Sequence, residues 1–274
     1  MNATTSIDVE AVTKSLYTDG IAAARGAFSR EWVQQMRTDM DIAFEEAISR
    51  PGGAVGRGPE RYYVEIHPEQ LSGFVDLITS PWVTAVSEAV LGPDYTIVEI
   101  GFDVPFPGAV NQPWHRDFPS PPETYEGHRL TSLAFNLTAV DTVVEMGPFE
   151  IAPGTHWEQG ADWDHGMFPP ESQWPRFAEL AQQKLPQQGD ISARSALTVH
   201  RGTANVSDEA RPVLVLGVDA PGAGHEQLHD LTVTRPFHEA MPEEARRHLA
   251  SRVVDELQPV VQKHTIEGLV MGAP

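Results

Sequence analysis

The stretch Gln112-Pro113-Trp114-His115-Arg116-Asp117-Phe118-Pro119 decides how this chain is read. His115 and Asp117 stand two residues apart, and in extended backbone residues i and i+2 point to the same side. An imidazole and a carboxylate can therefore converge on one point, the more so where Pro119-Ser120-Pro121-Pro122 opens the strand into a loop. A second imidazole, His200, closes the apolar run Ala196-Leu197-Thr198-Val199. Two imidazoles and one carboxylate form the ligand set of a non-haem iron(II) site with open positions. Taken alone, a His-x-Asp pair among 11 histidines is unremarkable. Arg211 sharpens the reading. It opens Pro212–Val218, an apolar run that reads as buried on both faces, and a buried guanidinium needs an anion beside it. That anion is either a structural Asp or Glu or an acidic cosubstrate.

Around this constellation the chain changes character. The first third, to about residue 93, reads as mainly helical. Trp32, Met36, Ala43 and Ala47 keep helical spacing until Pro51-Gly52-Gly53, and Ser80-Pro81 starts a helix that stops at Gly92-Pro93. Short β-rich runs appear at Tyr62–Ile66, within that first third, and then at Tyr95–Val104, Leu130–Val140, Pro148–Ala152, Ala196–His200 and Pro212–Val218. A helix over Pro242–Leu257 and a last strand near Val260–Ile266 complete the expectation. Many short strands joined by irregular loops predict a sandwich or barrel with helices outside, in one domain spanning residues 1–274.

Bulk composition removes several function classes. Lys+Arg number 19 against 39 Asp+Glu, a formal charge of -20, which disfavours a nucleic-acid surface. There is no cysteine, so disulfides, thiolate metal sites and cysteine nucleophiles are excluded. No apolar run approaches the ~20 residues of a membrane helix, and the N-terminus lacks the pattern of a signal peptide. The expectation is a cytoplasmic protein acting on a small molecule, with neither a membrane nor a nucleic-acid partner.

Three motifs in order resemble the phytanoyl-CoA dioxygenase-like family of iron(II)/2-oxoglutarate oxygenases. They are the 112–119 stretch, Gly147-Pro148-Phe149-Glu150-Ile151-Ala152-Pro153-Gly154-Thr155-His156, and His200 followed by Asn205, Ser207 and Arg211-Pro212. The resemblance implies a double-stranded β-helix, the cupin-like jelly-roll, with iron held by His115, Asp117 and His200. It also implies O2 and 2-oxoglutarate as cosubstrates, with the distal carboxylate of 2-oxoglutarate meeting Arg211, whose planar guanidinium donates two parallel hydrogen bonds. Asn136 and Gln112 are further candidate cosubstrate contacts, each with a satisfied structural polar residue as the competing reading. Asp117 argues against a halogenase, which keeps a small residue there.

For the substrate, Trp114, Arg116, Phe118, Trp163 and Arg201 are candidate contacts, each with packing or ion pairing as the alternative. His156 reads as a brace for the Pro153-Gly154 turn. The aromatic-rich segment 157–188 is expected to cover the metal side and to order further when substrate binds. The implied reaction is hydroxylation of an unactivated C–H bond with release of succinate and CO2. Desaturation, epoxidation and ring formation are open alternatives. A metal-dependent hydrolase or isomerase, or a non-enzymatic ligand-binding barrel, are the readings from other classes.

Overall fold

The computed structural model describes residues 7–223, 230–263 and 271. In chain order the helices are α1 (Val9–Thr18), α2 (Arg30–Ile48), α3 (Phe74–Ile78), α4 (Pro81–Leu91), α5 (Pro122–Glu126), α6 (Trp174–Leu180), α7 (Arg235–Ala240) and α8 (Glu243–Arg246). The strands are β1 (Ile21–Ala24), β2 (Val55–Gly56), β3 (Arg61–Glu65), β4 (Thr96–Pro105), β5 (Ser132–Thr138), β6 (Phe149–Ile151), β7 (Gln182–Lys184), β8 (Ile191–Ser195), β9 (His200–Gly202), β10 (Val213–Asp219), β11 (Thr232–Thr234) and β12 (Arg252–Val254). Seven of them form an antiparallel sheet in the order β1-β8-β5-β10-β4-β3-β2. A three-stranded sheet, β7-β6-β9, is the second layer of the jelly-roll. Among the described residues the two sheets are separate, so the barrel is not closed by hydrogen bonds.

The period-two pattern of the central strands sets which side is core. Leu214, Leu216 and Val218 of β10 lie opposite Phe102, Ile100 and Ile97 of β4, and opposite Leu137, Phe135 and Leu133 of β5. All nine are buried and face the helices. Each such side chain contributes roughly 1.5–3 kcal/mol when fully buried. Trp82 of α4 meets Phe135 edge-on, with ring centroids 5.8 Å apart. α2 presents Val33, Met36, Met40, Ala43 and Ala47 to this core, and the Ser29 side chain caps its first turn by accepting from the Trp32 N–H.

The alternate residues, Val213, Val215 and Gly217 on β10 with Thr138, Asn136 and Ala134 on β5, face inward and line a cavity. Pro212–Val218 is thus buried in the core on one face only, contrary to the sequence reading. The segment expected to be mainly helical up to residue 93 supplies β1 and β2 to the large sheet, together with β3, which falls on the β-rich run expected at Tyr62–Ile66.

Two further expectations change. The helix over Pro242–Leu257 is broken. Only Glu243–Arg246 is helical, and Arg252–Val254 pairs in parallel with β11. Of the strand expected near 260–266, residues 260–263 are not strand, and 264–266 lie outside the described residues. Among the described residues no helix is long and apolar enough to cross a membrane.

Candidate metal and cosubstrate site

His115 and Asp117 are positioned by backbone pairing along β9 and its approach. The His115 N–H donates to the His200 carbonyl at 3.0 Å, and the His200 N–H returns the bond to the His115 carbonyl at 2.8 Å. The Asp117 N–H donates to the Ala196 carbonyl at 3.0 Å. Period two then aims His115 and Asp117 inward together, with His200 beside them. One potential ligand atom from each of the three lies within 4.8 Å of the others, the only such group of three among the described residues.

Hydrogen bonds select the faces of both imidazoles. Nδ1 of His115 lies 2.9 Å from the Pro113 carbonyl and Nδ1 of His200 2.8 Å from the Thr198 carbonyl. A carbonyl only accepts, so each Nδ1 carries the proton and each Nε2 keeps its lone pair toward the site. Burial holds the pKa of both rings below the ordinary value. For His115 the next cause is the neighbouring His200, and for His200 it is Arg194. Both are therefore neutral ligands.

Burial alone would raise the Asp117 carboxyl, but Arg194 outweighs it and holds the group well below the carboxylate range. Arg194 pairs with it through Nη1–Oδ2 at 2.5 Å and Nη2–Oδ1 at 3.1 Å. Oδ1 also lies 3.4 Å from His200 Nε2. Two neutral nitrogens and one ionised oxygen facing an open cavity fit iron(II).

The same cavity, about 560 Å³, reaches Arg211. Arg211 is buried, and its Nε donates to the Met146 and Gly147 carbonyls at 3.2 and 3.1 Å. Gly147 turns its carbonyl there through a left-handed φ of 70°. A Cβ at this position would also strike the Thr203 carbonyl oxygen at 2.4 Å. Burial pushes Arg211 down to about 10, Arg61 lowers it further and Asp103 opposes this, so the guanidinium stays charged at neutral pH. Among the described residues no carboxylate forms an ion pair with it, and neither Nη group has a hydrogen-bond partner. The structural Asp or Glu partner allowed by the sequence is absent from the described residues. A buried cation in a cavity calls for an anionic ligand.

Asn136 lines the cavity in register with Val215 and Ser192. Gln112 also lines it, but its Oε1 already accepts from the Gly202 N–H at 2.8 Å and from Arg61 Nη1 at 3.4 Å.

Four of the five candidate substrate contacts fall elsewhere, and for Trp114, Arg116 and Arg201 the alternation of extended backbone is the reason. Trp114 and Arg116 have the opposite phase to the ligands. Trp114 is buried with Ala152, Trp163, Phe177 and Val199 in a second core. Arg116, fully buried, donates to the Tyr125 hydroxyl and the Glu158 carbonyl and stacks 4.0 Å from the Trp163 ring centroid. Arg201 points to the outer face of the small sheet, pairs with Glu150 at 2.9 Å and covers Trp114. Trp163 packs edge-on against Phe177. Phe118 does line the cavity. His156 braces α1 from the turn, its Nε2 lying 3.2 Å from the Tyr17 carbonyl.

Segment 157–188 lies over this side of the molecule. Met167 lines the cavity and Phe168 stacks 6.0 Å from His115, while Trp163 and Phe177 anchor the segment to the second core.

Sequence reasoning missed Arg194, Arg61, Phe149 and Tyr63. Phe149 lies 5.2 Å from His200, ring to ring. Tyr63 hydrogen-bonds Glu99 across the sheet, with its ring and the Glu99 side chain lying over Gly101 and Gly217, where any Cβ would collide. The available signal was an inward phase for polar residues in strands, legible only once strand boundaries are known.

A jelly-roll with this triad and this arginine defines the class, and comparison supplies the family. The phytanoyl-CoA dioxygenase (PhyH) family matches residues 16–213, most of the chain. The chain belongs to this family of iron(II)/2-oxoglutarate-dependent oxygenases. The dioxygenase andF of Emericella variicolor is 24% identical over 206 residues, which cover 69% of this chain and 58% of andF, so the chain spans little more than half of that relative. Among solved structures, the non-heme alpha-ketoglutarate-dependent carbocyclase SnoK from nogalamycin biosynthesis matches with a TM-score of 0.61 at 18% identity, over 77% of this chain and 83% of SnoK. The epimerase SnoN, in complex with Fe3+, alpha-ketoglutarate and nogalamycin RO, matches with a TM-score of 0.60 at 20% identity, over 81% and 93%. AviO1 from Streptomyces viridochromogenes Tue57 matches with a TM-score of 0.59 at 18% identity, over 81% and 99%. At these identities the likeness is one of fold.

Proposed function

We propose that this protein hydroxylates an unactivated C–H bond of a small organic molecule, consuming O2 and 2-oxoglutarate and releasing succinate and CO2. The observation that carries the reading is a buried cation, Arg211, without a carboxylate partner among the described residues, sharing one cavity with a neutral His, neutral His, ionised Asp triad. His115 and His200 would hold iron(II) through Nε2 and Asp117 through Oδ1. Bound iron(II) supplies the activation of O2 coupled to decarboxylation of 2-oxoglutarate.

The remaining work belongs to the protein. The two Nη groups of Arg211 receive the distal carboxylate and fix the cosubstrate's direction in the cavity. Asn136 offers a side contact, and Gln112 acts one step back by holding Gly202 and Arg61. Phe118, Phe149 and Met167 give the metal end an apolar wall that excludes water while the substrate's C–H bond is positioned. The protein is proposed to act in the cytoplasm.

Ring formation, desaturation, epoxidation and epimerisation use the same site, and a carbocyclase and an epimerase stand among the structural relatives. Product mass sorts these outcomes into three groups, gain of one oxygen (hydroxylation, epoxidation), loss of two hydrogens (desaturation, ring formation) or no change (epimerisation), and product structure by NMR separates the members of each group. The test is a substrate screen on iron-loaded protein that follows succinate release with product mass. Succinate release without any substrate product across a broad screen, or no 2-oxoglutarate turnover at all, counts against the reading.

A further inference from the structure

We propose that Arg194 is a positioning residue that confines Asp117 to one-oxygen metal ligation, leaving Oδ1 for the ion and keeping Oδ2 for itself. The proposal rests on the reading of the triad as a metal site.

The argument starts from where Arg194 sits. It occupies β8 in the inward phase, opposite Ala134 of β5, and the Ala134 row continues to Gly217 on β10. These small neighbours leave the long side chain room to lie across the inner face. Its side chain is only 8% exposed, and Asp117 is its carboxylate partner. The ring of Phe149, from the opposite sheet, lies 5.6 Å below the guanidinium and 5.2 Å from His200. Arg194 is thereby held from one sheet while Phe149 and His200 are held from the other. Its freedom to follow a moving carboxylate is small.

The two hydrogen bonds to Asp117 are unequal. Nη1–Oδ2 is short at 2.5 Å, whereas Nη2–Oδ1 is 3.1 Å, and Oδ1 is the oxygen beside His200 Nε2. An incoming divalent ion competes for Oδ1 against the weaker bond and leaves the stronger one intact. With Oδ2 retained by a guanidinium fixed in the sheet, the carboxylate cannot swing to chelate through both oxygens. One-oxygen ligation leaves three positions of an octahedral ion for a two-point cosubstrate and a third ligand. Two-oxygen ligation would consume one of them.

The experiment uses Mn(II) and Co(II), measuring Mn(II) affinity by calorimetry and the Co(II) ligand-field spectrum in wild type, Arg194→Met and Arg194→Lys, with thermal melting as the folding control. Removing an outer partner of a metal ligand costs about 10–100-fold in metal affinity. Arg194→Met is expected to show that loss together with an altered Co(II) spectrum. Arg194→Lys, which restores one donor to Oδ2, is expected to recover most of the affinity and the wild-type spectrum. Wild-type affinity and spectrum in Arg194→Met overturn the proposal. So does weakened binding with an unchanged spectrum and no recovery in Arg194→Lys, which marks a merely structural role. Should Arg194→Met not fold, Arg194→Lys against Arg194→Gln carries the same comparison, and equal spectra and affinities in the two overturn it. A wild type that binds neither ion is a separate result and defeats the metal-site reading itself.

Discussion

His115 and His200 hold each other by a reciprocal pair of backbone hydrogen bonds, 3.0 and 2.8 Å long, with their rings 4.4 Å apart. The spacing of the two residues is set by main chain and does not depend on the rings or on an ion, while each ring is oriented by its own Nδ1–carbonyl bond. His115→Ala and His200→Ala should each keep the bridge and a melting temperature within a few degrees of wild type, while Mn(II) binding disappears. Calorimetry and a melting curve on each variant check this. Retained binding in either variant removes that histidine from the site.

Asp117 behaves differently because it balances Arg194 before any ion arrives. Asp117→Ala leaves a buried guanidinium without its carboxylate, and stripping one partner from a buried pair costs roughly 3–5 kcal/mol. The metal-free variant should lose stability on the scale of about 3 kcal/mol, and Asp117→Asn, which keeps an acceptor oxygen, should lose less. Denaturant unfolding of metal-free protein measures both.

Why the ligands were legible and their partner was not is a matter of local against non-local information. His115 and Asp117 stand within three residues, and i, i+2 spacing carries its own geometry. The helices α2 and α4 were legible for the same reason, having local stop signals and periodic apolar positions. Arg194 lies in Ile191-Ser192-Ala193-Arg194-Ser195, whose small and polar residues have weak strand preference. The apolar run 196–200 reads as the strand instead, but 196–199 form the turn between β8 and β9, which begins at His200. β1 reads as an Ala-rich run and becomes a strand only by pairing with β8. Trp114 and Arg116 drew attention by adjacency, yet the alternation that aims the ligands inward sends these two outward. Pro242–Leu257 has helix-forming residues, but Arg252–Val254 finds a strand partner in β11 that no local window contains.

Arg211 is the test of the cosubstrate. Arg211→Ala removes the charged partner of the distal carboxylate, and a hydrogen bond to a charged group is worth about 1.5–3 kcal/mol. Affinity of the metal-loaded protein for 2-oxoglutarate should fall roughly 10–100-fold, by the same energy scale. Calorimetric titration of wild type and variant checks it, and equal affinities refute the assignment.

Gly202 offers a structural prediction beside the same end of the cavity. A Cβ there would lie 2.1 Å from Arg61 Nη1, and Arg61 is buried, ion-paired with Asp103 at 3.1 Å and bonded to Gln112 and the Thr203 carbonyl. The guanidinium cannot retreat without giving up these partners. Gly202→Ala should destabilise the protein by about 3 kcal/mol, the scale of a broken buried ion pair. In an Arg61→Met background the same substitution should cost clearly less, because the obstacle is gone. A double-mutant cycle by denaturant unfolding reads the difference, and equal costs in both backgrounds would show that Arg61 is not the obstacle.

His156 gives the fold a pH dependence that is separate from the metal site. It is wholly buried, its Nε2 proton goes to the Tyr17 carbonyl at 3.2 Å, and Nδ1 has no donor among the described residues. Burial lowers its pKa from 6.5 to about 4 against smaller opposing effects of Tyr17 and Asp19. The unfolded chain therefore takes up a proton near pH 6.5, while the folded protein resists until about pH 4. Between these values the unfolded state binds more protons, so stability falls as pH falls through this window and levels off below it. Above pH 6.5 the group contributes no slope. The full shift corresponds to about 3 kcal/mol at 1.36 kcal/mol per pKa unit. Comparing wild type with His156→Gln by denaturant unfolding at pH 7, 5.5 and roughly 4.5 isolates this group, because other titrations are common to both proteins. Gln can keep the bond to Tyr17 but does not titrate, so the wild type should lose stability relative to the variant as pH falls. A constant difference between the two proteins across this range would mean that His156 titrates alike in the folded and unfolded chain.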